Sequence, residues 1–268
     1  MNRPCISLLT DFGLHDTYVG QMKGAIAAIN PAANVVDLTH AIPPQQVLQA
    51  AIALADAVDP FPAGTIHVAV VDPGVGSSRR AIAAEIGSQK FVCPDNGLLS
   101  VVLRRQQLRR AVLLDQPRWW TPAVSHTFHG RDLFAPVAAA WSLGHDLSEF
   151  GSPLVEPLME LSLPDLVVDV DAVTGQTIVR GCVLAVDHFG NLVTNVPRAA
   201  IPLESTSIEV IVGQTRLRGI ERCYSDRGPG ECLALFGSSG RLEIAVVNGN
   251  AARLLEMDVG NAVMVMFD

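Results

Sequence analysis

Three charged residues on glycine-rich turns carry the strongest chemical signal in this sequence. Asp72 follows the apolar run HVAVV inside VVDPGVGSSRR (70–80), Arg79 comes seven residues later, and His129 stands in TFHGRD (127–132). A carboxylate, a guanidinium and an imidazole on loops of one sheet edge could orient a water. The carboxylate or the imidazole would take its proton, and the guanidinium would hold developing negative charge. Taken singly, each residue is equally a turn or cap residue, or half of a structural ion pair. Other glycine-loop chemistries fail on residue type. A phosphate loop needs a lysine that VVDPGVGSSRR lacks, and a dinucleotide turn needs a third glycine where Arg79 stands. His126 and His129 are three apart, but no Cys/His set at ligand spacing joins them, so no metal is expected. No Gly-x-Ser-x-Gly elbow is present.

These residues need a scaffold, and the first 145 residues supply one. ISLLT (6–10), NVVDL (34–38), TIHVAVV (65–71) and AVLLD (111–115) read as strands, and AIAAEI with KFVCP as a strand pair. Between and after them, Thr17–Asn30, Gln45–Val58, Gly97–Arg105 and Asp132–Leu143 have helical spacing, the first stopped by Pro31. This alternation predicts an α/β layered domain with a mostly parallel sheet. In such sheets ligands sit beyond the carboxyl ends of strands, where Asp11 and Asp72 both fall. Residues 145–165 hold three prolines and read as a linker. Beyond it QTIVRGCVLAVD, NLVTNV, SIEVIVG, TRLRGI, ECLALF, RLEIAVV and AVMVMF are short strands separated by turn residues, which predicts a small β-barrel or sandwich. The expected domains are 1–163, α/β with the linker, and 164–268, a β-barrel.

Bulk composition excludes other classes. The 268 residues are 49% hydrophobic and carry a net charge of -8 with no Lys/Arg block, so no nucleic-acid partner is expected. The longest apolar helical stretch, VLQAAIALADAV, is too short to span a bilayer, and MNRPCISLLTDF does not read as a signal peptide. Five scattered cysteines without a CxxC fit a reducing, cytoplasmic setting.

LLTDFG (8–13), VVDPGVGSSRR (70–80), PDNGLL (94–99), TFHGRDLFAP (127–136), DHFGNLVTN (187–195) and SSGRLEIA (238–245) occur in the order found in one family. The chain thereby resembles the S-adenosyl-L-methionine (SAM) hydroxide adenosyltransferases, the adenosine-forming SAM hydrolases, which are relatives of the SAM-dependent fluorinase and chlorinase. The resemblance covers nearly the whole chain. It implies an N-terminal α/β domain, a C-terminal β-barrel, and a homotrimer binding SAM between the N-terminal domain of one subunit and the C-terminal domain of its neighbour. It implies hydrolysis of SAM to adenosine and methionine with no cofactor.

The implied catalytic set is Asp72, Arg79 and His129, with Arg80 the adjacent alternative to Arg79. The implied substrate contacts are Asp11 to the ribose hydroxyls, Asn191 to the adenosyl group, Asp187 to the methionine amine, Ser238 near the methionine end, and Tyr224 against adenine. Glu243 and the backbone near Val246 are implied on the adenine side. Two features differ from the halogenase relatives: no insertion precedes PDNG, and His129 is present. Both favour water over halide. Gly237 stands where the family pattern has an asparagine before SSG. Halide-dependent adenosyl transfer and a non-catalytic SAM- or adenosine-binding module are the alternatives.

Overall fold

The computed structural model describes residues 3–205 and 207–268. Their contacts divide the chain into two compact units, the first ending at Ser162 and the second beginning at Leu163. No helix among the described residues is long and apolar enough to cross a membrane.

In chain order the first unit contains β1 (Cys5–Thr10), α1 (Tyr18–Ile29), β2 (Asn34–Thr39), α2 (Val47–Ala57), β3 (Ile66–Val70), β4 (Ala81–Ile86), β5 (Gln89–Pro94), α3 (Ser100–Arg105), β6 (Leu108–Leu113) and α4 (Ala135–Ser142). The strand order is β2-β1-β3-β5-β4-β6. Ile6, Leu8, Ile66, Val68 and Val70 bury one face of the sheet with Met22 and Ile26 of α1 and Val137 and Trp141 of α4. Alternation along β1 turns Ser7 to the other face, where its hydroxyl meets Nδ1 of buried His67 at 2.6 Å.

The sheet is mixed, a correction to the mostly parallel expectation. β1–β2, β1–β3 and β3–β5 are parallel, whereas β4 runs antiparallel to both β5 and β6. The cause is local. Only Gly87 and Ser88 separate β4 from β5, and a parallel return needs a dozen residues or more.

Helix ends differ from the sequence expectation where the backbone leaves helical space. Gln45 has φ +66° and Gly97 has φ +97°, so α2 begins at Val47 and α3 at Ser100. The expected helix from Asp132 opens instead with a π-turn over Gly130–Phe134, ahead of α4. Nor is 145–165 a free linker. Phe150 is buried in the first unit's core, and Leu113 N and Leu154 N bond Ser152 O and Ala111 O at 2.8 and 2.9 Å, laying the segment along β6.

The second unit contains β7 (Val167–Val170), β8 (Thr177–Val186), β9 (Leu192–Pro197), β10 (Ile208–Val212), β11 (Thr215–Arg218), β12 (Cys232–Phe236), β13 (Arg241–Val246), α5 (Ala251–Leu254) and β14 (Ala262–Phe267). The order is β11-β10-β14-β8-β9-β13-β12, with β7 beside β8. The first half of β8 pairs with β14 and the second with β9, and a bridge from Glu221 to Leu235 brings the two edges nearly to closure as a barrel. Val179, Leu192, Val210, Ile244 and Val265 fill its interior. β7 and α5, both of four residues, add to the expected elements.

Candidate active site

The connectivity of the first unit decides where its site lies. From β1 the chain crosses through α1 to β2 on one side, then through α2 to β3 on the other, so strand order reverses at β1. Such a reversal opens a crevice at the carboxyl ends of the two diverging strands. Thr10 of β1 pairs in register with Val70 of β3, which brings Asp11 and Asp72 to the same sheet edge just beyond the paired residues.

Asp72 and Arg79 meet because DPGVGSSR folds back in two consecutive turns. Val75 N bonds Asp72 O, and Ser77 donates to Gly74 O through both its N–H and its hydroxyl. Gly76 has φ +78°, and a Cβ there would lie 2.4 Å from His126 O, so this turn excludes a side chain. Arg79 Nε then lies 2.9 Å from each Asp72 oxygen, and Nη2 donates to Oδ2. The pair is nearly dry, with side chains 4% and 12% exposed. Phe134 lies under the guanidinium, 5.4 Å from its ring centroid. Asn96 of the PDNG turn donates to Val71 O at 2.8 Å and pins the strand end that carries Asp72.

His129 joins them from the turn before α4. Arg79 Nη2 lies 2.8 Å from His129 Nδ1. A guanidinium has only donors, so Nδ1 accepts and the neutral ring carries its proton on Nε2. Burial, and after it the Arg79 charge, lowers the His129 pKa from its ordinary value. Behind the ring, buried Asp132 accepts from Arg131 and from Ser125 N, tying down both sides of the turn. Arg80 turns away to Asp95 and Glu156. Geometry therefore joins Arg79, not Arg80, to Asp72 and His129.

Asp11, Asp72 and His129 line one cleft of about 400 Å³, together with Gln45, Val75 and Thr127. Arg79 sits behind them. Asp11 Oδ2 accepts from Gln45 N at 2.8 Å. Phe12, Tyr18 and Phe128 form an apolar wall, with ring centroids 5.2–5.8 Å apart. No feature of the isolated sequence pointed to this wall, because its rings come from three separate segments.

The remaining expected residues lie on the barrel. Asp187 and Asn191 bond one another: Asp187 Oδ2 accepts from Asn191 Nδ2, and Oδ1 accepts from the Phe189 and Asn191 amides. They hold a tight turn whose tip, Phe189, is 72% exposed. Tyr224 donates to buried Glu243 at 3.3 Å. Burial, with neighbouring Asp187, raises the Glu243 pKa despite that bond. Gly237 is explained by Glu243: a Cβ at 237 would lie 1.7 Å from Glu243 Oε1. Ser238 is exposed in the β12–β13 turn, while the Val246 side chain belongs to the barrel core, leaving only its backbone for contact.

Comparison with known proteins places these residues in context. The family description SAM hydroxide adenosyltransferase N-terminal domain matches residues 6–151, and the corresponding C-terminal domain matches 181–264. A protein of Salinispora tropica named (R)-S-adenosyl-L-methionine hydrolase is 41% identical, covering 98% of this chain and 97% of its own. A protein of Nocardia brasiliensis named fluorinase is 28% identical over 98% and 97% of the two chains. The crystal structure of an uncharacterized conserved protein from Thermotoga maritima superposes with TM-score 0.89 at 35% identity, covering 97% of this chain and 99% of that one.

Proposed function

The chain belongs to the SAM hydroxide adenosyltransferase family, and from that premise we propose that it hydrolyses S-adenosyl-L-methionine to adenosine and L-methionine. The observation that carries the reading is the Asp72–Arg79–His129 cluster at the wall of a cleft that also holds Asp11. Water oxygen bonds to C5′ of the ribose, the C5′–S bond breaks, and its electron pair turns the sulfonium into the neutral thioether of methionine. That leaving group is good, so the protein's task is to fix one water in line and accept one proton.

The tautomer supports one division of roles. His129 Nε2–H donates to the water oxygen, and its Nδ1, taken up by Arg79, is closed to the incoming proton. Asp72 is the acceptor in the set and receives the proton from water on Oδ1, which Arg79 engages through Nε alone and which keeps a free lone pair. Arg79 binds both groups and fixes their separation. Asp11 accepts the ribose hydroxyls. On the barrel, Asn191 and Tyr224 take the adenosyl group with Glu243 and the Val246 backbone, and Asp187 and Ser238 take the methionine end.

We further propose a homotrimer in which the barrel unit of a neighbouring subunit completes each cleft, acting in the cytoplasm without a cofactor. The unpaired cysteines suit that compartment. The alternative is halide-dependent transfer, for which the fluorinase relative at 28% identity is the specific observation.

The experiment is turnover of SAM in ¹⁸O-labelled water, with and without chloride, products separated by chromatography. Labelled adenosine with methionine is the expected result. A halogenated adenosine would transfer the protein to the alternative, and bound adenosine without product would make it a binding module. Light scattering reads the trimer directly; a monomer with full activity would overturn the shared site.

A further inference from the structure

Behind Asp11 lies a polar chain that the reaction as described does not use. His40 follows β2, where the pairing with β1 slips between Leu8–Asp37 and Leu9–Thr39. Such a bulge re-aims the residues after it. His40, whose side chain is 2% exposed, lies with Nδ1 2.8 Å from the hydroxyl of Thr10, itself fully buried. Thr10 Oγ1 in turn accepts the Phe12 amide at 3.2 Å. On the far side His40 Nε2 is 3.1 Å from Asp37 Oδ1, an ion-pair distance although off the line of a well-formed hydrogen bond. Asp37 is held by Lys23 Nζ at 2.7 Å. The His40 carbonyl also accepts the Gly13 amide at 2.8 Å.

The directions agree. The Thr10 hydroxyl donates to Nδ1, which leaves the ring proton on Nε2, facing the Asp37 carboxylate. The Phe12 amide, the Thr10 hydroxyl and the Nε2 proton thus run in one direction, toward the Asp37 charge, which attracts that proton electrostatically across 3.1 Å and not through a well-formed hydrogen bond. Asp11 lies between residues 10 and 12, both on this chain, and residue 13 is bound by the His40 backbone. Through Thr10 and through its own carbonyl, His40 ties the chain on both sides of Asp11, at Thr10, Phe12 and Gly13.

We propose that Asp37, His40 and Thr10 form a positioning relay that holds Asp11 in the geometry a vicinal ribose diol requires. The relay touches no reacting atom, and it rests on the reading that Asp11 binds the ribose hydroxyls.

The test compares binding of adenosine with that of 2′,3′-dideoxyadenosine, which lacks the diol, using the full-length protein. Thr10→Val, which keeps shape and removes the hydroxyl, and Asp37→Asn, on a half-exposed carboxylate, are read beside His40→Ala, with thermal unfolding to confirm folding. Thr10→Val and His40→Ala are expected to weaken adenosine about tenfold, one hydrogen bond's worth, and to leave dideoxyadenosine unchanged. Asp37→Asn should show the same selectivity with a smaller loss, and Thr10→Ser should bind as the wild type does. An equal loss for both nucleosides, or no loss for adenosine in Thr10→Val and Asp37→Asn, overturns the relay. If the wild type itself does not prefer adenosine, it is the role of Asp11 that fails, and the relay falls with it.

Discussion

His129 as hydrogen-bond donor is the step of the mechanism that depends most directly on one contact, and His129→Gln tests it. A glutamine reaches the Nε2 position with an amide N–H and has no basic nitrogen. With His129 Nδ1 2.8 Å from Arg79 Nη2, the wild-type ring offers the water a proton rather than a lone pair. Removing the donor altogether, as in His129→Ala, leaves the water unfixed, and misplacing a reactant by about 1 Å costs about 10²-fold in kcat. His129→Gln keeps the donor and loses only the acceptor for Arg79, a net hydrogen bond of about 1 kcal/mol, so kcat should fall about fivefold to tenfold. The assay is methionine release at saturating SAM, with kcat and KM determined separately. The pH profile adds a sign. Protonating Nδ1 sets a positive ring against Arg79, so activity requires the neutral form. Because the His129 pKa is lowered, wild-type activity should persist below pH 6.5 and fall only as pH passes through that lower value. In His129→Gln the fall should move to still lower pH. Equal inactivity of the Gln and Ala variants would refute the reasoning and make the imidazole the base.

Asp11→Ala should weaken adenosine about tenfold to a hundredfold, the range for hydrogen bonds to a charged group, with a smaller effect on kcat, as equilibrium binding and steady-state kinetics would show. Gly237→Ala should lower stability by about 1 kcal/mol in urea titrations, because its Cβ displaces the Glu243 carboxylate, and the loss should vanish in the double variant with Glu243→Ala. His67 is fully buried, and burial lowers its pKa from 6.5 to about 4. The unfolded chain therefore binds the extra proton first. Stability should be complete above pH 6.5 and decline as pH falls toward 4, by about 3 kcal/mol in all. A His67→Leu variant should lack that share of the acid dependence; an unchanged urea-midpoint profile between pH 4 and 7 would remove His67 as its source.

How much of the fold could be read in advance follows the range of the determining contacts. Strands such as TIHVAVV and ECLALF announce themselves by apolar, β-branched composition and appear within a residue or two of the expected bounds. The reversed direction of β4 was available in principle, since a two-residue connection allows only a hairpin. Segment 145–165 was harder. Its prolines read as a linker, whereas the burial of Phe150 against Trp119 and Trp141 fixes it to the first unit, and that contact lies in no local pattern. Helix starts shifted where Gln45 took a left-handed conformation. That is uncommon for a residue with a side chain, and its amide is turned to Asp11.

The site divides along the same line. Asp72 and Arg79 are seven residues apart within one turn, so DPGVGSSR alone contains the information that joins them. His129 is fifty residues from Arg79; its glycine turn made it a candidate and the resemblance grouped it with Arg79, but no local pattern joins the two. Asp187 and Asn191 had a local signal, because an Asp followed by Gly-Asn closes its own turn. Their mutual bond means that a ligand must be met by an already ordered loop. His40 had none: in NVVDLTH it reads as the residue after a strand, and its partner Thr10 lies thirty residues earlier. Gly237 shows the converse. Read along the chain it is a missing asparagine; read in three dimensions, its space is filled by the carboxylate of Glu243 from the next strand. A departure from a family pattern at one position is thus intelligible only with the position that occupies its volume, and substitutions at 237 and 243 must be interpreted as a pair.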